Sequence, residues 1–228
     1  MMKQTKEELS MSKKVLILGA TGHIAHFAIE ALIDQSDYQL ALFTRHPQHL
    51  PEYDQSRINV IQGNTLNQSD LDQAMKGVDM VYANLANPEI KQQAQNIVTS
   101  MDKNGVKTLV WISTLGIYNE VPGKFGEWNN NMLGFGKADG YLTTYRAAAD
   151  VIEASDLNYT IVRPAWLTNK DEVDYETTDK GQDFKGTEVS RKSIGNFVAR
   201  VLENPAPFAK RSIGVNKPHT DGDKPAWY

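Results

Sequence analysis

The run Val15-Leu16-Ile17-Leu18-Gly19-Ala20-Thr21-Gly22-His23-Ile24-Ala25 decides the reading of this chain. Four consecutive apolar residues ending at a glycine read as a strand buried on both faces, as in the middle of a parallel sheet. Glycine at 19 and 22 permits a tight turn and a close backbone approach. Helical spacing follows at once, with Ile24, Phe27, Ala28, Ala31 and Leu32 on one face. Strand, glycine turn and amphipathic helix in this order leave helix N–H groups free for a pyrophosphate. Gly19, Thr21, Gly22, His23 and Ile24 are therefore candidate contacts to a dinucleotide. An ordinary strand-to-helix turn would use the same residues.

The same alternation continues outward. Gln39 to Phe43 and Ile58 to Ile61 are predicted as a second and third buried strand, and Val78 to Ala83 as a fourth. Thr108 to Ile112 makes a fifth strand and Tyr159 to Val162 a sixth, stopped by Pro164. Between them, Ser69 is expected to cap a short helix through Met75, and Pro88 to open a longer one carrying Ile90, Ala94, Ile97, Val98 and Met101. Further helices are predicted over roughly 139–154 and along Ile194, Phe197, Val198, Val201 and Leu202. Strands alternating with helices throughout specify an α/β, doubly wound parallel sheet. No linker or repeat divides it, so residues 13–228 form one domain, with small C-terminal elements on the substrate side. Two long connections, roughly 114–138 and 165–189, follow strand carboxyl ends, where open sheets bind ligands.

Composition narrows the function classes. The net charge of −4 and the absence of dense Lys/Arg runs give no pull towards nucleic acid or anionic membranes. No apolar run is long enough to span a bilayer. There are no cysteines, which excludes disulfides, thiolate catalysis and Cys-based metal sites. Residues 1–12 carry charge without an apolar core segment and are read as a disordered lead-in, with Met11 as an alternative start. A cytoplasmic monomer or homodimer acting on a small molecule is expected.

The end of the second strand selects the dinucleotide. An NAD site places an Asp or Glu there for the ribose 2′-hydroxyl, whereas this chain has Thr44-Arg45. A guanidinium can clamp a 2′-phosphate that a carboxylate would repel, so Arg45 favours NADP(H). The same arginine can also be a plain surface residue. Asn64, in the corner Gly63-Asn64, is placed beside the adenine by this topology, or serves only the turn.

Together, the Gly19–Ala25 turn, Thr44-Arg45, Gly63-Asn64, Val110-Trp111-Ile112-Ser113-Thr114 and Tyr159-Thr160-Ile161-Val162-Arg163-Pro164 resemble the atypical short-chain dehydrogenase/reductases. The likeness is to their NmrA-like, NAD(P)H-binding branch and runs from about residue 14 through the closing Ser212-Ile213-Gly214-Val215-Asn216-Lys217-Pro218. It implies a Rossmann fold with the nicotinamide near the ends of strands four, five and six. Asn84, Leu85 and Ala86 would then pass close to the cofactor, as would Pro164, Ala165, Trp166 and Leu167. Ser113 and Thr114 would stand where catalytic members place the hydroxyl that holds a substrate carbonyl. Active members carry a Tyr followed four residues later by a Lys, which lowers the phenol's pKa. Here Tyr141 keeps the first position, but Tyr145 occupies the second. Arg146 is turned about 100° away on a helix, and Lys137, four residues before Tyr141, is a weak substitute. Tyr141 and Tyr145 can equally be packing residues.

Other constellations carry less. The acidic stretch Asp171, Glu172, Asp174, Glu176 and Asp179 reads as a solvated loop. His23 and His26 have helical metal spacing but no third ligand, so no metal site is expected. The glycine- and aromatic-rich segment 123–136 suits a lid over an apolar substrate or a flap packed on itself. The leading reading is an NADPH-dependent oxidoreductase with a carbonyl or quinone-like acceptor, using Thr114 or Ser113 to orient it and Tyr141 as proton donor. The alternative is a non-catalytic NADP(H)-sensing regulator, which the missing lysine favours. A nucleotide-sugar epimerase or dehydratase would need an intact Tyr–Lys pair and a larger C-terminal region than the one helix and one strand expected after Lys185.

Overall fold

A computed structural model describes residues 12–54, 56–86 and 88–228; the expected lead-in, apart from Ser12, lies outside the described residues. In chain order the nucleotide half comprises β1 (Lys14–Leu18), α1 (His23–Gln35), β2 (Gln39–Thr44), β3 (Ile58–Gln62), α2 (Gln68–Ala74), β4 (Met80–Ala83) and α3 (Ile90–Asn104). Then follow β5 (Thr108–Ile112), α4 (Gly123–Leu133), α5 (Tyr141–Glu153), β6 (Asn158–Pro164) and the short β7 (Trp166–Thr168), β8 (Glu176–Asp179) and β9 (Glu188–Ser190). The chain closes with α6 (Arg191–Glu203), β10 (Arg211–Asn216) and an irregular strap over 217–228.

Eight strands make one sheet in the order β3-β2-β1-β4-β5-β6-β10-β8, all parallel except β8, which runs antiparallel to β10. β1 sits between β2 and β4, with Leu16 opposite Ala41 on one side and Val81 on the other. Its side chains alternate between two cores. Val15 and Ile17 pack with α1 and α6, whereas Leu16 and Leu18 pack with α2, α3 and α5. Both layers are apolar, which is why the run shows no polar alternation. Each buried aliphatic side chain of this kind contributes about 1.5–3 kcal/mol relative to exposure.

The doubly wound sheet stands as expected, with four local differences. The third strand is not buried: β3 is the sheet edge, and only its Ile58 is enclosed while Val60 is exposed. The short helix is capped by Asn67, not Ser69; the Asn67 side chain accepts from the Ser69 N–H. The 114–138 connection contains α4, and 165–189 is pinned by three short strands, so neither is an open loop. Finally, β6 runs through Pro164 rather than stopping before it. Proline is tolerated there because it is at the strand end, where its carbonyl accepts from the Leu115 N–H (3.0 Å).

Candidate functional site

The turn after β1 is held by backbone contacts that leave no room for side chains. Gly19 has φ +77°, and a Cβ on it would lie 2.2 Å from the carbonyl oxygen of Asn84. A Cβ on Gly22 would lie 2.1 Å from the Asn84 side-chain nitrogen. The Gly19 and Ala20 N–H groups both donate to the Phe43 carbonyl (3.0 and 3.3 Å), tying the turn to the end of β2. No side chain caps α1, and its first N–H with a partner in this turn belongs to His26, which donates to Gly22 (3.0 Å). The opening N–H groups of α1 therefore face the groove with the positive end of the helix behind them.

The groove has two connected parts. The first, a cavity of about 240 Å3, is lined by Gly19, Thr21, Gly22, Thr44, Arg45, Asn64, Leu85 and Ala86, with Asn84 at its inner wall. Thr44 is buried; its hydroxyl accepts from the His46 N–H (3.1 Å) and lies 3.5 Å from the Thr21 hydroxyl. Arg45 is exposed at the rim, and among the described residues no carboxylate pairs with its guanidinium. Asn64 also lines the cavity, but its side-chain oxygen accepts from the Leu66 N–H (3.0 Å), so only its amide NH2 is free to face a ligand.

The second part, about 430 Å3, shares Asn84, Leu85 and Ala86 with the first. Ile24, Ser113, Thr114, Tyr141, Pro164, Ala165 and Trp166 line it. His23 alone among the expected site residues borders neither part; it faces an adjoining hollow with Ala20 and Thr21. Ser113 is 4% exposed and its hydroxyl has no hydrogen-bond partner. A buried hydroxyl left unpaired costs free energy unless a ligand satisfies it.

Tyr141 and Tyr145 are not equivalent. Both line the cavity, but Tyr141 is 37% exposed whereas Tyr145 is 3% exposed and packs largely in the core. Their rings stack at 4.2 Å, and the Tyr145 hydroxyl reaches the Leu85 carbonyl (3.4 Å). Burial pushes both phenols above their ordinary pKa; a hydrogen bond from Tyr145 pulls Tyr141 part of the way back. Among the described residues no cation reinforces that pull. Arg146 pairs with Asp150 (2.7 Å) and covers the Tyr118 ring. Lys137 precedes the helix in an exposed turn, because Gly140 is the N-cap, so helical spacing does not carry it to Tyr141.

Three further contributors come from elements distant in sequence. Asn129 of α4 accepts from the Trp166 indole N–H (2.9 Å) and orients that ring. Trp227 of the strap lines the cavity and lies 6.2 Å from Trp166, while Tyr228 packs edge-on against Trp128 (4.8 Å). Arg191, the first residue of α6, reaches the cavity from the other side. A signal for Arg191 existed: Ser190 is a helix N-cap, so its successor starts a helix at the carboxyl edge of a strand. Segment 123–136, expected as lid or flap, is the helix α4 and the turn that follows it, with Trp128 against Trp166 (4.8 Å) and Leu133 in the cavity wall.

The loop bearing Ser113 is fixed by a buried ion pair. Arg163, fully buried at the end of β6, pairs with Glu120 and donates to the Ser212 hydroxyl (3.1 Å). Glu120 in turn accepts from the Gly116 and Tyr118 N–H groups (3.0 and 2.9 Å). Among the described residues no three His, Asp or Glu side chains converge as a metal cluster. His26 is engaged with Tyr53 (3.3 Å) and Glu30 (3.3 Å).

Residues 19–205 match the family described as NAD(P)H-binding. The chain belongs to that family. It is 40% identical to a Rossmann-fold NAD(P)-binding family protein of Shigella flexneri, across 93% of this chain and 98% of that one, with a TM-score of 0.80. A short-chain dehydrogenase/reductase of Veillonella parvula, solved in complex with NADP, is 30% identical over 95% of this chain and all of its own, with a TM-score of 0.86. Quinone oxidoreductase 2 of Escherichia coli is 25% identical over 158 residues, covering 68% of this chain and 49% of that protein. The chain thus spans about half the length of that relative. The resemblance drawn from the motifs is borne out at the level of family and fold, and no helix among the described residues is long and apolar enough to cross a membrane.

Proposed function

We propose that this NAD(P)H-binding protein is an NADP(H)-dependent oxidoreductase that reduces a small carbonyl or quinone-like acceptor. The observation that carries the proposal is a pair of adjoining cavities sharing Asn84, Leu85 and Ala86, with the Arg45 guanidinium, unpaired among the described residues, in one and the unpaired buried hydroxyl of Ser113 in the other. The donor set fits a phosphorylated dinucleotide. Arg45 with Thr44 would hold the 2′-phosphate, the opening N–H groups of α1 the pyrophosphate, and the free amide of Asn64 the adenine. Leu85, Ala86, Pro164 and Ala165 would bound the nicotinamide. When bound, NADPH supplies the hydride.

The chain's own groups then act on the acceptor. Ser113, with Thr114 beside it, donates a hydrogen bond to the acceptor oxygen and fixes its place. Tyr141 stays protonated at neutral pH because burial raises its pKa and no cation lowers it, so it is a hydrogen-bond donor and a reluctant acid. A carbonyl acceptor needs that proton. A quinone-like acceptor asks less, because the reduced oxygen can take its proton from water. The quinone oxidoreductase named among the relatives supports the second class. The proposal places the protein in the cytoplasm as a monomer or homodimer.

Calorimetric titration with NADPH and NADH tests the cofactor half. Wild type should prefer NADPH, and Arg45→Ala should cost about 1.5–3 kcal/mol of NADPH binding with little change for NADH. Turnover with quinone and aldehyde acceptors tests the rest. Ser113→Ala should lower kcat/KM for both, whereas Tyr141→Phe should hurt the aldehyde more. A second reading, an NADP(H)-sensing regulator without turnover, is favoured by Tyr145 standing where active relatives keep a lysine. It predicts tight NADPH binding with no turnover of any acceptor.

A further inference from the structure

We infer that Arg191 is the anchor for the nicotinamide-side phosphate of the dinucleotide, reaching across from α6 to complete the glycine turn between β1 and α1. This rests on the NADP(H) reading above and adds a binding residue to it. The guanidinium borders two spaces at once. One is the acceptor cavity, beside Ile24 and Trp166; the other is the adjoining hollow walled by Ala20, Thr21 and His23. It therefore stands where the opening turn of α1 meets the substrate end of the groove.

The Arg191 Nη1 donates to the Asn169 side-chain oxygen (2.7 Å), a neutral acceptor, and among the described residues no carboxylate pairs with it. Burial lowers its pKa from the ordinary value and no acidic neighbour opposes the shift. Its position is also electrostatically unfavourable: it is the first residue of a helix, at the positive end of the dipole. A partly buried cation without a carboxylate partner is unfavourably placed at a helix N-terminus, and a bound phosphate would offset that. The N-terminus of α1, which no described side chain caps, adjoins the same hollow through His23.

The approach of the two helices is built into the sequence. Gly195, one turn along α6, lies against α1, where a Cβ would be 2.5 Å from the Phe27 Cβ and 2.8 Å from the Ala28 nitrogen. α1 and α6 both begin beyond the carboxyl ends of strands and pack on the same core. One turn back from the Gly195 contact, Arg191 is level with the first residues of α1. Ser190 holds that end of α6 in place by accepting from the Ser193 N–H (2.9 Å).

The test is calorimetric titration of the full chain with NADPH and with adenosine 2′,5′-bisphosphate, which has no nicotinamide-side phosphate. Arg191→Ala should raise the Kd for NADPH about tenfold or more and leave the bisphosphate unchanged. Arg191→Lys keeps the charge without the planar fork and should fall between them. Unchanged NADPH affinity in Arg191→Ala overturns the assignment. So does an equal loss of both ligands, which marks a structural role, or a raised KM for the acceptor alone, which gives Arg191 to the substrate. Wild type that binds neither ligand brings down the NADP(H) reading itself, a result distinct from all of these.

Discussion

At its Gly19 end the groove is walled mainly by the four successive strand-end turns after β1, β2, β3 and β4. At its Ser113 end it is walled by residues from eight segments scattered from residue 24 to residue 227. Charge enters the first end through N–H dipoles and one rim arginine. The second is largely aromatic and aliphatic, with isolated hydroxyls and the Arg191 guanidinium at its border. Such a division lets one half of a fold keep a constant ligand while the other is free to change acceptor, because recognition by main chain is insensitive to side-chain replacement.

The contrast can be broken most severely at the substrate end. Arg163→Met leaves the Glu120 carboxylate buried without its partner and frees the loop that presents Ser113. Removal of one member of such a pair costs about 3–5 kcal/mol, to be read from urea unfolding, and turnover should be lost with it. Next comes the nucleotide end. Gly22→Ala drives a methyl group into the Asn84 amide; overpacking of this kind costs about 1–3 kcal/mol, and NADPH titration should show weakened binding while acceptor preference is kept.

A smaller effect sharpens the comparison. Trp166→Phe removes the indole N–H that Asn129 accepts from, worth about 1 kcal/mol, and should raise acceptor KM severalfold while the Kd for NADPH stays put. The least effect lies far from the groove. Asp72 is held at a pKa of about 2, chiefly by hydrogen bonds from Lys103 and Ser100. A lowered carboxylate pKa contributes stability that is fully present above about pH 4 and lost as pH falls through about 2. Asp72→Asn should therefore reduce the change in unfolding midpoint between those two pH values, without altering either end of the groove.

The same division explains what the sequence discloses. The Gly19 end is local: strand, turn and helix lie within a few consecutive residues, so Val15 to Ala25 announces itself and Thr44-Arg45 follows from the next strand end. The periodicity that located β1, β2 and β5 fails at β3, since an apolar Ile58-Asn59-Val60-Ile61 looks alike in the middle of a sheet and at its edge; only strand order separates them. The Ser113 end is tertiary. Asn129, Arg191 and Trp227 have no pattern among their own neighbours that points to Trp166, and they meet only after α4, α6 and the strap have docked. Lys137 shows the converse: a four-residue spacing brings it to Tyr141 only on a continuous helix, and α5 begins after Gly140.

The strap has an optical consequence. Of the four tryptophans in the chain, Trp128, Trp166 and Trp227 cluster at the acceptor cavity, while Trp111 is sealed within the core. Intrinsic emission is thus weighted towards one wall of one cavity, with a single buried indole as an internal reference. Removing Trp111 by substitution with Phe would leave a native-sequence fluorophore cluster whose every change in colour or yield is a report from the acceptor site, without any dye attached.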